Sequence, residues 1–226
     1  LSDSLHLARC AVNAETMQWD RHFIEKTKNP RRVYIIGGGI GGMEAARVLK
    51  LRGHDPVIYE KNNVLGGTFI PASAESYKGK LRELLAWYRR QMKELDVEVH
   101  LGKEIDSVEK FGDAPVIIAT GSVPRVMKNI PGHERMIEAC DYLNGRDVGE
   151  RVVVIGGGLT GSEIAYELAL QGKRPVIVEM KNDLVAQKGV CLANSSYLRE
   201  WFELHEVPVY LETKLKEVKE HSVICT

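Results

Sequence analysis

The chain has no pair of cysteines at C-x-x-C spacing. Its four cysteines, Cys10, Cys140, Cys191 and Cys225, are scattered. That argues against a zinc site, a redox dithiol and a secreted disulfide framework. Net charge is absent as well, because 31 lysines and arginines cancel 31 aspartates and glutamates. A balanced chain sets up no field to hold nucleic acid. No apolar run approaches the roughly 18 residues of a membrane span. The N-terminal LSDSLHLARC lacks the basic start and long apolar stretch of a secretory signal. These absences lead to the expectation of a cytoplasmic protein with neither nucleic-acid nor membrane partners. At 226 residues, 44% hydrophobic and 27% charged, the chain suffices for one large or two small globular domains.

Glycine is present in a pattern. Residues 32–60 read RVYIIGGGIGGMEAARVLKLRGHDPVIYE: a short apolar run, a glycine cluster, a helical pattern, and a second apolar run ending in an acid. Gly37, Gly39 and Gly42 supply G-x-G-x-x-G spacing. The glycines serve a tight turn, close backbone approach to a pyrophosphate, and close helix–strand packing. Free N–H groups at the helix start and the helix dipole both favour phosphate there. Glu60 follows Gly37 by 23 residues, near the spacing of an acid that accepts from a ribose hydroxyl.

Alone, that motif is weak, but the chain contains it twice. Residues 151–179 read RVVVIGGGLTGSEIAYELALQGKRPVIVE, offset by 119 residues and identical at 16 of 29 positions. Gly156, Gly158 and Gly161 repeat the glycines, Glu179 repeats the acid, and Gly172 and Pro175 match Gly53 and Pro56. Two complete strand–turn–helix–strand units predict an α/β protein with two Rossmann-like dinucleotide-binding domains.

Residues 1–30 read as a linker. The first nucleotide-binding domain covers 31–145 and the second 146–226. Between the motifs, Gly66 and Gly67 suggest another close approach of backbone to ligand, with Thr68 as a hydroxyl donor. Residues 79–95 have the stripe of an amphipathic helix, with Leu81, Leu84, Leu85, Tyr88, Met92 and Leu95 inward and Arg82, Glu83, Arg89, Arg90 and Lys93 on the other side. Lys80, at its start, has two readings, a phosphate contact and a solvated lysine, of which the solvated one is the more ordinary. Residues 97–101 and 115–118 read as strands, the latter ending in Ala119-Thr120-Gly121, where open α/β sheets bind ligands. Pro124 and 130–132 mark an exit from the first domain, and 139–149 a connection to the second. Further on, 194–204 reads as a helix capped by Asn194 or Ser195, and 207–211 and 215–226 as strands. The second domain shows no counterpart of 116–121, which leads to the expectation that its C-terminal part is missing.

This arrangement resembles the two-dinucleotide-binding flavoproteins, in which the first unit holds FAD and the second NAD(P)H, with the second domain inserted in the first. Residues 65–70, Leu-Gly-Gly-Thr-Phe-Ile, lack the cysteine pair of the disulfide reductase branch. A narrower resemblance is to the old yellow enzyme-like, iron–sulfur-containing reductases of the 2,4-dienoyl-CoA reductase and enoate reductase type. In that group an FMN barrel and a cluster-binding cysteine segment precede the two nucleotide domains. Cys10-Ala11-Val12-Asn13 resembles the stretch holding the last cluster cysteine, and ARVLKLRGH, YEK and LGG also match. Ala14, Thr68 and Lys78-Gly79-Lys80 depart from the group's usual residues.

The resemblance implies that Cys10 is the fourth [4Fe–4S] ligand in the intact parent only. The set expected to contact cofactor is Gly37, Gly38, Gly39, Ile40, Gly41, Gly42, Glu60, Lys61, Gly67, Thr68, Lys80, Ile105, Ala119, Thr120 and Gly121 for FAD. For NADH, with NADPH as a possible substitute, it is Gly156, Gly158, Leu159, Thr160, Gly161, Glu163 and Glu179. No acid–base residue is expected, because hydride transfer between nicotinamide and flavin needs none. Glu179 favours NADH, while Lys173, Arg174 and Lys181 lie close enough in sequence to be able to weaken that preference.

On this reading the chain is an electron-entry module. Hydride passes from NADH to FAD, then electrons pass through a [4Fe–4S] centre and FMN outside the chain to an α,β-unsaturated enoyl or enoate-type substrate. The expected partners are the parent's FMN barrel and that small molecule, with a second copy of the chain as a further option. Two alternatives share the fingerprints: a reductase subunit like the small subunit of glutamate synthase, and a non-catalytic ADP-binding module as in trimethylamine dehydrogenase. The 226 residues alone are expected to bind FAD weakly and to show no steady-state turnover. Recovery of stoichiometric flavin and rapid NADH oxidation from them would contradict that.

Overall fold

The computed structural model describes Cys10, Val12, Asn13, and residues 15–18 and 21–226. Residues 1–9 of the N-terminal segment, and Ala11 and Ala14 of the cysteine stretch, lie outside the described residues.

The first glycine motif folds as read. Strand β1 (Arg32–Ile36) leads into helix α1 (Ile40–Leu51) and strand β2 (Asp55–Tyr59). A short helix α2 (Phe69–Ala72), helix α3 (Gly79–Glu94), strand β3 (Glu98–His100) and strand β4 (Val116–Ile118) follow. The sheet order is β3-β2-β1-β4, with every pairing parallel. In register, Ile36 stands beside Tyr59 and Ile118, and Tyr59 beside His100. The strands therefore end level, and the residues just beyond them share one edge of the sheet.

Alternation decides which face is covered. Ile35 and Ile58 point toward α1 and α3, where they join Met43, Ala46, Leu85, Tyr88 and Met92 in one apolar cluster. The opposite face is closed by rings. Tyr34 stacks on Phe111 at 4.3 Å and Tyr59 on His100 at 4.8 Å. His100 also meets Glu98 at 2.7 Å, in keeping with a structural rather than chemical histidine.

The second unit repeats the plan with fewer strands. Helix α4 (Ala139–Leu143) precedes strand β5 (Arg151–Ile155), helix α5 (Leu159–Leu170), strand β6 (Arg174–Val178), helix α6 (Leu192–Leu204) and strand β7 (Val209–Tyr210). The parallel sheet runs β5-β6-β7. Phe202, Leu168, Ile177 and Ala165 centre its core. A separate hairpin joins β8 (Leu215–Val218) and β9 (Val223–Cys225) antiparallel. Among the described residues, β5 has a strand neighbour on one side only, and Val153 on it is 40% exposed.

Four sequence expectations change. The compact units divide at Val123 and Pro124, ahead of 145/146, because α4 packs against α5 in the second unit. Helix α6 starts two residues early, behind Cys191, so neither Asn194 nor Ser195 caps it. Ser195 is buried and its hydroxyl donates to the Leu192 carbonyl. The pattern at 215–226 is a hairpin rather than a continuous strand, because the chain turns where Lys219 N–H donates to Ser222. The strand read at 207–211 shrinks to the two residues of β7.

Helix and strand meet at the third glycine of each motif. A Cβ on Gly42 would lie 1.9 Å from the Gly37 carbonyl oxygen, and one on Gly161 1.9 Å from that of Gly156. Backbone cannot yield there as a flexible side chain would. Gly42→Ala and Gly161→Ala are each expected to destabilise their own unit by about 3 kcal/mol or more, the upper range for overpacking. Urea unfolding of the two variants tests this, and an unchanged midpoint would contradict the packing role.

Candidate functional site: two glycine cradles

Each cradle lies where β1 or β5 ends and α1 or α5 begins. Gly37 turns the chain with φ +107°, Gly156 with φ +104°, a region that suits glycine. The helices then start at Gly39 and Gly158 with no side-chain cap and no acid in the first turn. Their leading N–H groups and the positive end of the dipole are left facing outward, the setting that attracts an anion.

The glycines fall into two kinds. A Cβ on Gly37 would meet the Ala119 carbonyl at 2.3 Å, one on Gly38 the Leu65 side chain at 2.4 Å, and one on Gly42 the Gly37 carbonyl. Packing within the protein explains these. At Gly39 and Gly41 a Cβ would meet nothing within 4 Å, and neither has positive φ. Nothing inside the chain demands glycine there. At both, the space that a side chain would take is open. In the second cradle a Cβ on Gly158 would meet only the end of the Gln187 side chain, at 3.3 Å.

The acids at the ends of β2 and β6 are buried, Glu60 to 4% exposure and Glu179 to 7%. Burying a carboxylate is costly unless it is hydrogen-bonded. Glu60 Oε2 accepts from Gly38 N–H at 2.7 Å, and Oε1 accepts from both the backbone and the side-chain amide of Asn62 at 2.8 Å. Glu179 Oε2 accepts from Gly157 N–H at 2.6 Å and Oε1 from Lys181 N–H at 2.7 Å. These charge-assisted bonds fix both carboxylates. An ionised carboxylate offers about four lone-pair sites, so each retains acceptor capacity for a ribose hydroxyl.

The middle glycine is enclosed by the loop after the acid. Gly38 gives its N–H to Glu60, and its carbonyl accepts from Gly66 N–H at 2.8 Å. Leu65 fills the space its side chain would take. Gly157 is held in the same way by Glu179, by Val185 N–H at 2.7 Å, and by Leu184. Gly66 and Gly67 thus bring backbone against the backbone of Gly38 and Gly39, where the sequence suggested approach to a ligand.

Other expected positions scatter. Lys61, Thr68 and Thr120 are exposed. Ala119 backs Gly37, and its N–H donates to the Ile36 carbonyl at 2.8 Å. Ile105 lies in the segment that Lys103 N–H ties to the Glu60 carbonyl at 2.9 Å. Ile40, Leu159 and Thr160 sit in the first turns of α1 and α5, and Glu163 one turn further along α5. Lys80 is not brought to the cradle by any described contact. Its ammonium pairs with Glu83 at 2.9 Å and its side chain is 88% exposed. Cys10 is half-buried, and no metal-binding cluster of His, Cys, Asp and Glu occurs among the described residues.

The basic residues feared near Glu179 are mostly elsewhere. Arg174 opens β6 and Lys173 precedes it, five and six residues before Glu179 and roughly 16 Å or more of strand away. The Lys173 ammonium bonds the Val148 carbonyl and pairs with Asp147, while Arg174 pairs with Glu150 at 2.7 Å. Lys181 alone stays beside the acid.

The second cradle opens into a cavity of about 1760 Å³, which runs from Gly156 and Gly158 along β5 to Tyr142 and the Val218–Val223 turn. There a Cβ on Gly156 meets nothing within 4 Å, since no strand end backs it as Ala119 backs Gly37.

Sequence reasoning missed the enclosing loops. The signal was present: Glu60, Asn63 and Leu65 recur as Glu179, Asn182 and Leu184 at the same offset of 119. It also missed Ser162, which is fully buried with its hydroxyl donating to the Gly157 carbonyl at 3.2 Å.

Residues 31–225 match the pyridine nucleotide-disulphide oxidoreductase family. The chain is 38% identical to cinnamate reductase of Clostridium sporogenes over 216 residues, covering 92% of this chain and 32% of the relative. It is 39% identical to NADH oxidase of Thermoanaerobacter brockii over 186 residues, covering 78% and 28%. A solved 2-naphthoyl-CoA reductase superposes with TM-score 0.85 at 26% identity, over 96% of this chain and 34% of that one. The chain spans about a third of the length of the curated relatives it matches. With its duplicated cradles and parallel sheets, the chain belongs to the pyridine nucleotide-disulphide oxidoreductase family.

Proposed function

We propose that the chain is the electron-entry module of an NADH-dependent flavin oxidoreductase. One observation carries the reading: two uncapped helix starts, at Gly39 with open space beside it and at Gly158 with only the end of the Gln187 side chain nearby, each beside a buried, hydrogen-bonded glutamate. The residues fit dinucleotides. Gly39 and the first turn of α1 would hold the FAD diphosphate, with Glu60 on the ribose and the backbone at 119–121 alongside. Gly158 and the first turn of α5 would hold that of NADH, with Glu179 on its ribose. Bound together, the cofactors supply hydride transfer from nicotinamide to flavin. The protein's part is to bind and orient them.

Onward delivery belongs to the rest of the longer protein. We assign it to a [4Fe–4S] centre, with Cys10 as its fourth ligand, and to FMN in an N-terminal barrel. The acceptor is an α,β-unsaturated acid or thioester, a reading supported by the names of the cinnamate and 2-naphthoyl-CoA reductases that the chain resembles.

Gly39→Ala separates binding from folding. Its Cβ meets no protein atom, so stability should change by less than about 1 kcal/mol, as at other open surface sites. FAD content of the purified full-length protein should fall well below that of the unmutated protein, read from its visible spectrum. Full flavin loading in Gly39→Ala would contradict the placement.

Coenzyme choice is the second test. Like charges about 4 Å apart near a protein surface repel by about 4 kcal/mol. Glu179 should therefore reject a 2′-phosphate, giving an NADH to NADPH ratio of kcat/KM of at least ~100. Glu179→Gln should narrow that ratio. Equal use of both coenzymes by the unmutated protein would overturn the assignment.

A further inference from the structure

Each unit has an arginine whose position on an amphipathic helix marks it for solvent but which turns back into the fold. Arg89 of α3 donates through Nε at 2.9 Å and Nη2 at 2.5 Å to one acceptor, the Leu65 carbonyl. Arg199 of α6 donates through Nη2 at 2.6 Å to the Leu184 carbonyl, and through Nε at 2.8 Å to Asp183. Both are half-buried. Leu65 and Leu184 are the residues whose side chains fill the missing Cβ space of Gly38 and Gly157.

We propose that Arg89 and Arg199 are positioning residues, each clamping a leucine-bearing loop onto the middle glycine and so presetting one nucleotide cradle. A leucine carbonyl fixed from behind keeps the next N–H, of Gly66 or Val185, aimed at the Gly38 or Gly157 carbonyl. The same glycine in turn donates its own N–H to the glutamate. The chain from arginine to ribose acceptor is therefore continuous: guanidinium, leucine carbonyl, middle glycine, carboxylate.

The two arginines occupy different places in the repeat. Leu65 and Leu184 keep the offset of 119, whereas Arg89 and Arg199 differ by 110. The first unit inserts α2 between loop and helix, and the second has no such helix. The same bond is therefore made across different connections, as expected if the contact itself matters. A guanidinium suits the task because its fixed fork can serve one carbonyl twice, or a carbonyl and a carboxylate together.

The effect on nucleotide affinity rests on the function proposed above; the clamp itself does not. Both are tested in the full-length protein with Arg89→Met, Arg199→Met and the corresponding lysine variants. Hydrogen exchange is read without nucleotide. In Arg199→Met, exchange at the Gly157 and Val185 amides should rise at least ~10-fold, as for loss of one charge-assisted bond, with Gly38 and Gly66 unchanged. Arg89→Met should give the mirror result. Lysine, which restores one donor, should recover part of the protection. Arg199→Met should also raise KM for NADH several-fold more than it lowers kcat. Unchanged protection at Val185, or loosening spread evenly through both units, would overturn the clamp. If the unmutated protein fails to oxidise NADH while the exchange pattern holds, the functional reading falls and the clamp stands.

Discussion

The hydrogen bond that the middle glycine's N–H donates to a buried glutamate is the constraint on which the rest depends. A carboxylate at the end of β2 or β6 cannot be buried without donors. The glycine N–H beside it, at the tight turn, likewise needs an acceptor. Each answers the other, at 2.7 Å in the first unit and 2.6 Å in the second. Once that bond is made, the turn after β1 or β5 is fixed against the neighbouring strand. The helix that follows can then start with its leading N–H groups directed outward.

Much else follows from keeping that peptide in place. The level ending of the strands puts Gly37, Glu60 and Ala119 on one edge of the sheet. The parallel register is set in turn by apolar alternation, with Ile35 and Ile58 buried under α1 and α3. Gly42 and Gly161 let the helix lie against the turn itself. The core and the site are therefore one construction. The same glycines that allow close packing also bring backbone donors to the surface.

The sequence made the cradles legible because their geometry is local. A tight turn, a helix start and a terminal acid all sit within one 29-residue span, and duplication removed the ambiguity of a single motif. The loops that enclose the cradles were harder to read. Arg89 lies on the polar side of its helix in any periodicity argument, and its acceptor is a carbonyl 24 residues away. Lys80 shows the complementary point: proximity in sequence to a helix start says nothing of direction, and it pairs with Glu83 as an exposed lysine. Lys173 and Arg174 looked close to Glu179 until the length of β6 separated them.

Crystals of the protein grown with ADP-ribose test the central claim most directly, because that ligand carries the diphosphate and ribose shared by FAD and NADH. The account predicts diphosphate density at the starts of both α1 and α5, with a ribose hydroxyl on Glu60 and on Glu179 and the glutamate–glycine bonds intact. Ligand bound elsewhere at saturation, with both helix starts bare, would contradict it.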